Sequence, residues 1–523
     1  MFKKILVVWL LAAGCLFGGA LRGAEAAKDT LVIGIQDNSI SLDPAICFEI
    51  VGAAYLDLLY ERLVSFKEND LSAVVPVLAE SWEISADGKT WIFHLRKGIK
   101  FANGDPVNAE AVVFSFKRTL ALKGEPASLL TQFGLTEEGI TQKDEMTVQF
   151  TLSDAYAPTL FLACLATPLF GIANPQEVLA HEENGDRGSK WLYNHSAGSG
   201  RYVLESREEG QQARLKANPN YWGTPPKAQS VTIRHIGEPA EQVSLLEQGT
   251  IDIAWNLDAT MTAEIAGKRE IQLSETLTLN LIYLMMNITY EPFTKPEVRD
   301  AIRYAIDYDG LIEKALGGAG RKIQSFIPKG LLGYNPDLPY VRDIVKAKEL
   351  LAAAGYPDGF SLELNCFDFG FWLEVAGKIK SDLAQVGIQV TINARPAKDT
   401  INDLRTRTYQ MTLIQWMTDY LDPDMNAKSF AYCTDLSENA LYKMRAWQTN
   451  YLTPDTSQIV EQAALERDTE KRKALYLEAT DKIMDEGPFA FLYSPTHQYA
   501  IRADIADMIG QLDVTAVDFP TLR

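Results

Sequence analysis

Two acidic residues, Asp419 and Asp422, stand in a loop that directly follows a predicted strand at 411–414. In α/β folds, the loops at the carboxyl ends of strands hold ligands. A carboxylate that is kept dry in such a loop forms strong charge-assisted hydrogen bonds with a cation. The alternative interpretation is structural, because an aspartate before Pro423 can simply cap the turn. The loop 415–424 is therefore the first candidate binding site.

The chain lacks the common catalytic and metal-binding motifs. It contains no G-x-S-x-G nucleophile elbow and no H-E-x-x-H zinc motif. The histidines do not pair at metal-ligand spacing: His94, His181, His195, His235 and His497. Gly318-Ala319-Gly320 lacks a third glycine and is predicted to be a loop. We expect no catalytic residue, no metal ligand and no cofactor; a hydrolase with Asp419 and Asp422 as paired carboxylates is the enzymatic alternative.

Composition and charge limit the class of protein. The chain has 523 residues, of which 47% are hydrophobic and 23% charged, as in ordinary globular proteins. At about 100–200 residues per domain, this length predicts two to four domains. The formal net charge of −19 argues against a nucleic-acid partner, which needs a Lys- and Arg-rich surface. Neutral or cationic ligands suit such a protein better.

The N-terminal segment has the layout of a secretory signal peptide. Lysines at 3–4 precede an uncharged apolar stretch at 5–21, and a small-x-small site predicts cleavage after Ala26. A retained membrane anchor is the competing interpretation. The segment also resembles a lipoprotein cleavage box that would place a lipid on Cys15. We expect a signal peptide at 1–26 and export to the periplasm.

The cysteines beyond the signal peptide are too far apart for a zinc site or a redox motif. They are Cys47, Cys164, Cys366 and Cys433. An oxidising compartment permits disulfides, but the spacing assigns no partners. Buried free thiols are the favoured interpretation.

Strand-like and helix-like segments alternate along the chain, which predicts an α/β protein. An Asp-Gly turn joins two short alternating strands between 82 and 95, and Asn108 is placed to cap a helix that begins at 109. Further predicted elements are a strand at 30–35, helices at 53–63, 297–306 and 374–386, and a strand at 388–392. Gly387 stands between the last helix and strand as a C-terminal cap.

Several motifs, in order along the chain, resemble the signature of family 5 extracellular solute-binding proteins. They are Pro76-Val77-Leu78-Ala79-Glu80-Ser81-Trp82, Phe93-His94-Leu95-Arg96-Lys97-Gly98, Gly198-Ser199-Gly200-Arg201-Tyr202, Tyr221-Trp222-Gly223 and Ala354-Gly355-Tyr356. Arg201 departs from the pattern, since proline is usual there. The resemblance covers essentially the whole chain after the signal peptide. Such proteins are the peptide, dipeptide and nickel receptors of bacterial ABC importers.

The resemblance implies a periplasmic binding protein-like α/β fold with two lobes, a hinge and an inserted third domain. Domain I would be discontinuous, domain II inserted, and domain III would close on domain I like a jaw. The predicted ranges are 27–62, 198–283 and 490–523 for domain I, 63–197 for domain II and 284–489 for domain III.

The resemblance also implies a ligand site. Peptide-binding relatives have a Trp-x-x-Asp sequence whose aspartate pairs with the peptide α-ammonium group, and that residue is Asp419 here. The same loop contributes Trp416, Thr418 and Tyr420, and Trp416 either lines the pocket or packs in the hinge. Two further candidates are Glu49, as a second cation-binding carboxylate, and Asn280, which contacts either the ligand or the hinge.

One loop departs from the dipeptide-specific relatives, which carry an arginine there. Here the segment reads Asn365-Cys366-Phe367-Asp368-Phe369-Gly370-Phe371-Trp372. Without the arginine, the anchor for a free C-terminal carboxylate is missing. We hypothesise a ligand with a cationic amine and an apolar body, or a longer peptide. The aromatic residues of this loop either form a wall of the site or belong to the core.

The resulting prediction is a periplasmic substrate-binding component of an ABC importer that takes peptides or related amine-bearing solutes. It would deliver them to the transmembrane permease subunits and act as a monomer. The alternatives are a receptor for another solute, such as a metal chelate, an opine or a sugar, and a secreted hydrolase.

Overall fold

The computed structural model describes residues 29–36, 39–67, 70–255 and 257–508. The predicted signal peptide and Cys15 lie outside these residues. The strands, in chain order, are β1 (Thr30–Ile35), β2 (Val64–Lys67), β3 (Asp70–Pro76), β4 (Ala79–Ile84), β5 (Thr90–Leu95), β6 (Ile140–Asp144), β7 (Thr147–Thr151), β8 (Tyr202–Glu208), β9 (Gln212–Ala217), β10 (Ser230–His235), β11 (Ile253–Ala254), β12 (Ile271–Leu277), β13 (Leu281–Met286), β14 (Gly320–Lys322), β15 (Ser361–Phe367), β16 (Gln389–Arg395), β17 (Met411–Trp416) and β18 (Phe489–Arg502).

The α-helices are α1 (Ile50–Leu59), α2 (Ala109–Leu122), α3 (Glu125–Thr131), α4 (Pro158–Leu165), α5 (Pro175–Ala180), α6 (Ser189–Leu192), α7 (Pro239–Glu247), α8 (Ala259–Ile265), α9 (Pro296–Ala305), α10 (Tyr308–Gly310), α11 (Ile344–Ala353), α12 (Trp372–Ala384), α13 (Ala397–Thr406), α14 (Pro423–Phe430), α15 (Arg445–Gln448), α16 (Pro454–Leu465) and α17 (Thr469–Glu486). Short 3-10 helices cover Pro168–Phe170, Glu291–Thr294 and Ala503–Met508, and a π-helix covers Leu311–Ala315. The predicted α/β class is confirmed.

Two sheets share the long strand β18. In the first, β1 lies between β10 and β11 and runs parallel to both, and the C-terminal half of β18 pairs with β11 and β12. In the second, β15 is parallel to β16 and β17, β17 pairs with β13, and β13 pairs with the N-terminal half of β18. We call the first sheet with α1, α7 and α8 the first lobe, and the second sheet with α9–α17 the second lobe. The chain passes between them within β18 and between β12 and β13.

The segment between α1 and β8 forms a separate antiparallel unit. Strands β4, β5, β7 and β6 make a four-stranded sheet, and β2 pairs with β3 in a hairpin. We call β2–β7 with α2–α6 the insert. It lies between α1 and β8 in the chain, and the division into three domains with the boundaries given above stays a prediction.

Local sequence explains most of these elements. In β5, Trp91, Phe93 and Leu95 alternate into the core, as a strand with one buried face requires. The Asn108 side chain accepts a hydrogen bond from the backbone N–H of Ala111 at 3.1 Å and caps α2. Gly387 has a φ of 91°, the left-handed conformation expected after a helix.

Two details differ from the sequence-based expectations. The helix predicted at 53–63 begins at Ile50 and ends at Leu59, because the backbone of Tyr60 is already extended. Gly320 is not part of a loop as predicted; it starts β14, which pairs with the middle of β18. Gly320 belongs to a strand because its segment pairs with the long strand β18, a tertiary contact that the local sequence does not indicate.

The cysteine prediction is confirmed. Cys47, Cys164, Cys366 and Cys433 are all buried free thiols. Among the residues that the structure describes, no helix is both long and apolar enough to cross a bilayer.

Candidate functional site

A cleft that is open to solvent lies where the first lobe, the insert and the second lobe meet. Each part of the chain contributes a short segment to its wall. The lining residues are Phe48, Glu49, Ile50, Ala53, Asp57, Arg62, Ser65, Phe66, Ala166, Thr167, Pro168, Leu169, Met417, Thr418, Asp419 and Leu421. A wall that is largely apolar with a few polar groups is typical of a small-ligand site.

Asp419 stands on the second-lobe wall of the cleft, three residues after the end of β17. Its side chain is partly buried, and it forms no hydrogen bond or ion pair with any of the described residues. Burial raises the pKa of Asp419 to about 6, and the nearby charge of Glu125 adds to the rise. Burial removes water from this carboxylate, and none of the described residues replaces the lost hydration. A bound cation would offset that loss through a charge-assisted hydrogen bond.

The loop that carries Asp419 is held by its neighbours. Thr418 donates its hydroxyl to the backbone carbonyl of Tyr420 at 2.6 Å. The Tyr420 hydroxyl donates to Asp424 at 2.9 Å and also lies 3.2 Å from the Oε1 atom of Gln132 in the insert. Tyr420 is fully buried and is not part of the cleft wall. The structure thus places Tyr420 behind the loop, where it positions Asp419.

Asp422 has the structural role that the alternative interpretation gave it. Its side chain accepts a hydrogen bond from the backbone N–H of Asp424 at 2.9 Å and caps α14. Both of its oxygens also accept hydrogen bonds from the Arg472 guanidinium, each at 2.7 Å. Asp422 is 3% exposed. A carboxylate committed in this way cannot act with Asp419 as a catalytic pair.

Glu49 lies on the first-lobe wall, at the residue before α1. Burial raises the pKa of Glu49, while the Cys47 thiol, which donates to it at 3.5 Å, and the charge of Arg207 lower it. The loop before Glu49 is fixed by Asp43, which forms a bidentate ion pair with Arg118 of α2 at 2.5 and 2.7 Å. Glu49 therefore presents a second carboxylate to the same cleft, from the first lobe.

Asp57 and Arg62 form an ion pair at 2.7 Å in the cleft wall. Burial opposes ionisation of Asp57, but the guanidinium groups of Arg62 and Arg201 hold its pKa below the usual value. Arg201 is the residue that replaces the usual proline. Among the described residues that line the cleft, Arg62 is the sole basic side chain, and Asp57 already occupies it.

Trp416 and Asn280 lie beside the cleft and not in its wall. Trp416 is half-buried, packs edge-on against Phe430 at 5.9 Å between ring centroids, and carries Arg445 over its other face. Asn280 stands just before β13, next to the strand end that leads to Asp419, and at one crossing between the sheets. These positions favour the hinge roles that were considered for both residues.

The aromatic loop after β15 divides into two parts. Phe367 and Trp372 are buried and pack edge-on at 4.9 Å, so they belong to the core. Phe369 and Phe371 are 54% and 37% exposed, respectively. Because β15 lies parallel to β17, this loop lies at the same sheet edge as the Asp419 loop. Neither exposed ring is part of the described cleft wall.

Sequence reasoning missed much of the wall. Phe66 from β2 and the segment 166–169 from the insert close one side of the cleft. These residues belong to no motif, and the sequence alone indicates only ordinary core or loop positions. The proximity of Asp57 and Arg62, five residues apart at the end of α1, was the one available signal. Among the described residues, no three acidic, histidine or cysteine side chains are grouped closely enough to hold a metal ion.

Two lobes with a shared strand and a largely apolar cleft between them are the architecture of a solute-binding protein of the periplasmic type. The family model described as bacterial extracellular solute-binding proteins, family 5 Middle, matches residues 73–438. The chain belongs to this family. The resemblance seen in the sequence and the predicted fold class are thereby confirmed.

Individual relatives agree with this assignment. The chain is 30% identical to the probable D,D-dipeptide-binding periplasmic protein DdpA of Escherichia coli (strain K12). The 492 aligned residues cover 93% of this chain and 92% of that protein. This chain is 28% identical over 468 residues, 86% of this chain and 85% of the relative, to a dipeptide-binding protein of the same organism. A solved structure of the ABC transporter-associated periplasmic binding protein DppA from Helicobacter pylori, in complex with peptide STSA, superimposes with a TM-score of 0.75 at 26% identity over 94% of this chain and 98% of that chain.

Proposed function

We propose that this protein captures peptides or related amine-bearing solutes for an ABC importer, and that Asp419 binds the ligand's ammonium group. The observation that carries the proposal is the carboxylate of Asp419, which is desolvated and unpartnered in a cleft between two lobes. The peptide-binding relatives support the ligand class. The protein acts in the periplasm as a monomer and passes its ligand to the permease subunits.

Closure of the lobes explains how binding would be signalled. A ligand that contacts both walls binds the closed form more tightly than the open form, and this difference shifts the population towards closure. The two crossings between the sheets, one within β18 and one near Asn280, are the natural hinge. Closure also removes water from the Asp419 carboxylate and strengthens its bond to the ammonium group.

A binding protein releases its peptide intact, whereas a hydrolase releases shortened products. We expect the purified protein, after incubation with a mixture of all-L and all-D peptides of about two to five residues, to hold one intact peptide per chain in native mass spectrometry. Small-angle scattering should show a smaller radius of gyration for the complex than for the free protein. Shortened peptides in the supernatant would support the hydrolase, and the absence of any bound peptide would contradict the proposal.

Binding of a ligand with a single ammonium group should weaken in acid. Because the ionised form of Asp419 binds the cation and its pKa is about 6, affinity should be highest near about pH 7, where the α-amino group of the ligand is still largely protonated, and fall as the pH drops through the pKa of Asp419. At about pH 5, roughly a tenth of the carboxylate is ionised, so leucyl-norleucine amide should bind about tenfold more weakly than at about pH 7. Isothermal titration calorimetry measures this profile.

Two variants check the cause of the pH dependence. Asp419→Asn should abolish it. Glu125→Gln should move the midpoint to lower pH, because the negative neighbour that raises the pKa is removed. A wild-type profile that is flat between about pH 5 and 7.5 would contradict the assignment of Asp419.

A further inference from the structure

The charges in the cleft wall do not balance. Asp57 and Arg62 neutralise each other at 2.7 Å. Glu49 and Asp419 form no ion pair with any basic side chain in the part of the chain that the structure describes. To whatever enters, the wall therefore presents two carboxylates without an ion-pair partner among the described residues.

The two carboxylates are separate points and not one site. Glu49 stands at the start of α1 in the first lobe, and Asp419 follows β17 in the second lobe. The charge that acts on Asp419 is that of Glu125, and the charge that acts on Glu49 is that of Arg207. Because the two carboxylates stand on different lobes of the cleft, each can receive its own ammonium group.

The rest of the wall is largely apolar. Phe48, Ile50, Phe66, Leu169, Met417 and Leu421 contribute hydrocarbon surface. A ligand that fits this wall has an apolar body between its charged ends. A free carboxylate has no partner here, because the one basic side chain of the described wall is already paired with Asp57.

We infer that the cleft selects ligands with two separated cationic groups: the ammonium group that Asp419 holds and a second one that Glu49 holds. This inference rests on the proposed function and names its substrate class, a peptide or peptide-like amine with a basic side chain and no free carboxylate inside the cleft. Glu49 is then the specificity-determining residue. Ligands with a net negative charge are rejected, because they bring a further anion beside two unpaired ones.

A panel of matched amides tests the spacing and the charge together. The reference probe is leucyl-norleucine amide, which has one ammonium group. In the other probes, the second residue is diaminopropionic acid, diaminobutyric acid, ornithine or lysine, so that a second ammonium group stands at increasing distance. Affinities are measured by isothermal titration calorimetry on wild-type protein, Glu49→Gln and Asp419→Asn.

We expect at least one of the dicationic amides to bind wild-type protein about tenfold or more tightly than the reference. Glu49→Gln should remove this preference, so that no dicationic amide binds the variant more tightly than the reference does. This variant is expected to fold, because the Glu49 side chain does not cap α1. Asp419→Asn should weaken every probe.

Each failure has a distinct meaning. If the reference binds in an Asp419-dependent manner but no dicationic amide exceeds it, the inference is wrong and the proposed function stands. A preference for dicationic amides that persists in Glu49→Gln also overturns the inference, because a residue other than Glu49 then binds the second ammonium group. If no probe binds, and the peptide mixture also yields no complex, both the inference and the proposed function are wrong.

Discussion

Replacing Arg472 with methionine should lower the free energy of unfolding by about 3–5 kcal/mol. Arg472 is 1% exposed and binds both oxygens of Asp422, which is itself 3% exposed. The substitution leaves a buried carboxylate without its counter-charge, and this penalty exceeds what a surface ion pair contributes. Chemical denaturation followed by tryptophan fluorescence measures the loss.

Two comparisons separate the buried pair from general effects of the substitution. Lys190 forms an ion pair with Glu183 in which both side chains are more than half exposed, so Lys190→Met should leave the free energy of unfolding nearly unchanged. The double variant Arg472→Met with Asp422→Leu should recover part of the loss, because no charge is then left buried. A loss below about 1 kcal/mol in Arg472→Met alone would show that the pair does not stabilise the second lobe.

Asp419→Asn should weaken the binding of leucyl-norleucine amide by about 2–4 kcal/mol, or roughly 30- to 700-fold. Asparagine has the same shape and can accept a hydrogen bond, but it has no charge with which to bind an ammonium group. Because burial raises the pKa of Asp419, the ionised carboxylate destabilises the folded protein at neutral pH, and the variant should be at least as stable as the wild type. Isothermal titration calorimetry and thermal unfolding measure the two quantities.

The matched control for this variant is Glu264→Gln. Glu264 is an exposed acid on α8, outside the cleft wall, and its loss changes the net charge by the same amount. We expect unchanged affinity. An equal loss in both variants would indicate long-range attraction by the net negative charge and not a contact at Asp419.

Local sequence predicted the elements whose chemistry is local. The alternation of Trp91, Phe93 and Leu95 predicted a strand, and Asn108 and Gly387 predicted helix ends where the structure has them. The position of the Asp419 loop also followed from a local feature, namely the end of a β-branched and apolar strand. These predictions hold because hydrogen-bond capping and side-chain periodicity depend on neighbours in the chain.

The rest of the site depends on contacts between distant segments. Tyr420 belongs to the predicted loop, yet its side chain is buried. Its hydroxyl forms hydrogen bonds with Gln132 and Asp424, which are distant from each other in the chain. Nothing in the sequence indicates that 166–169 would line the same cleft as Asp419. Only the packing of the insert against the lobes brings these residues together, and that packing has no linear pattern.

A double-mutant cycle between protein and ligand tests the central claim most directly. Wild-type protein and Asp419→Asn are each titrated with leucyl-norleucine amide and with its desamino analogue, which lacks the ammonium group. If Asp419 holds that group, the coupling free energy between the two changes should be about 2 kcal/mol or more. A coupling near zero, with both ligands losing equal affinity, would show that the carboxylate and the ammonium group do not meet.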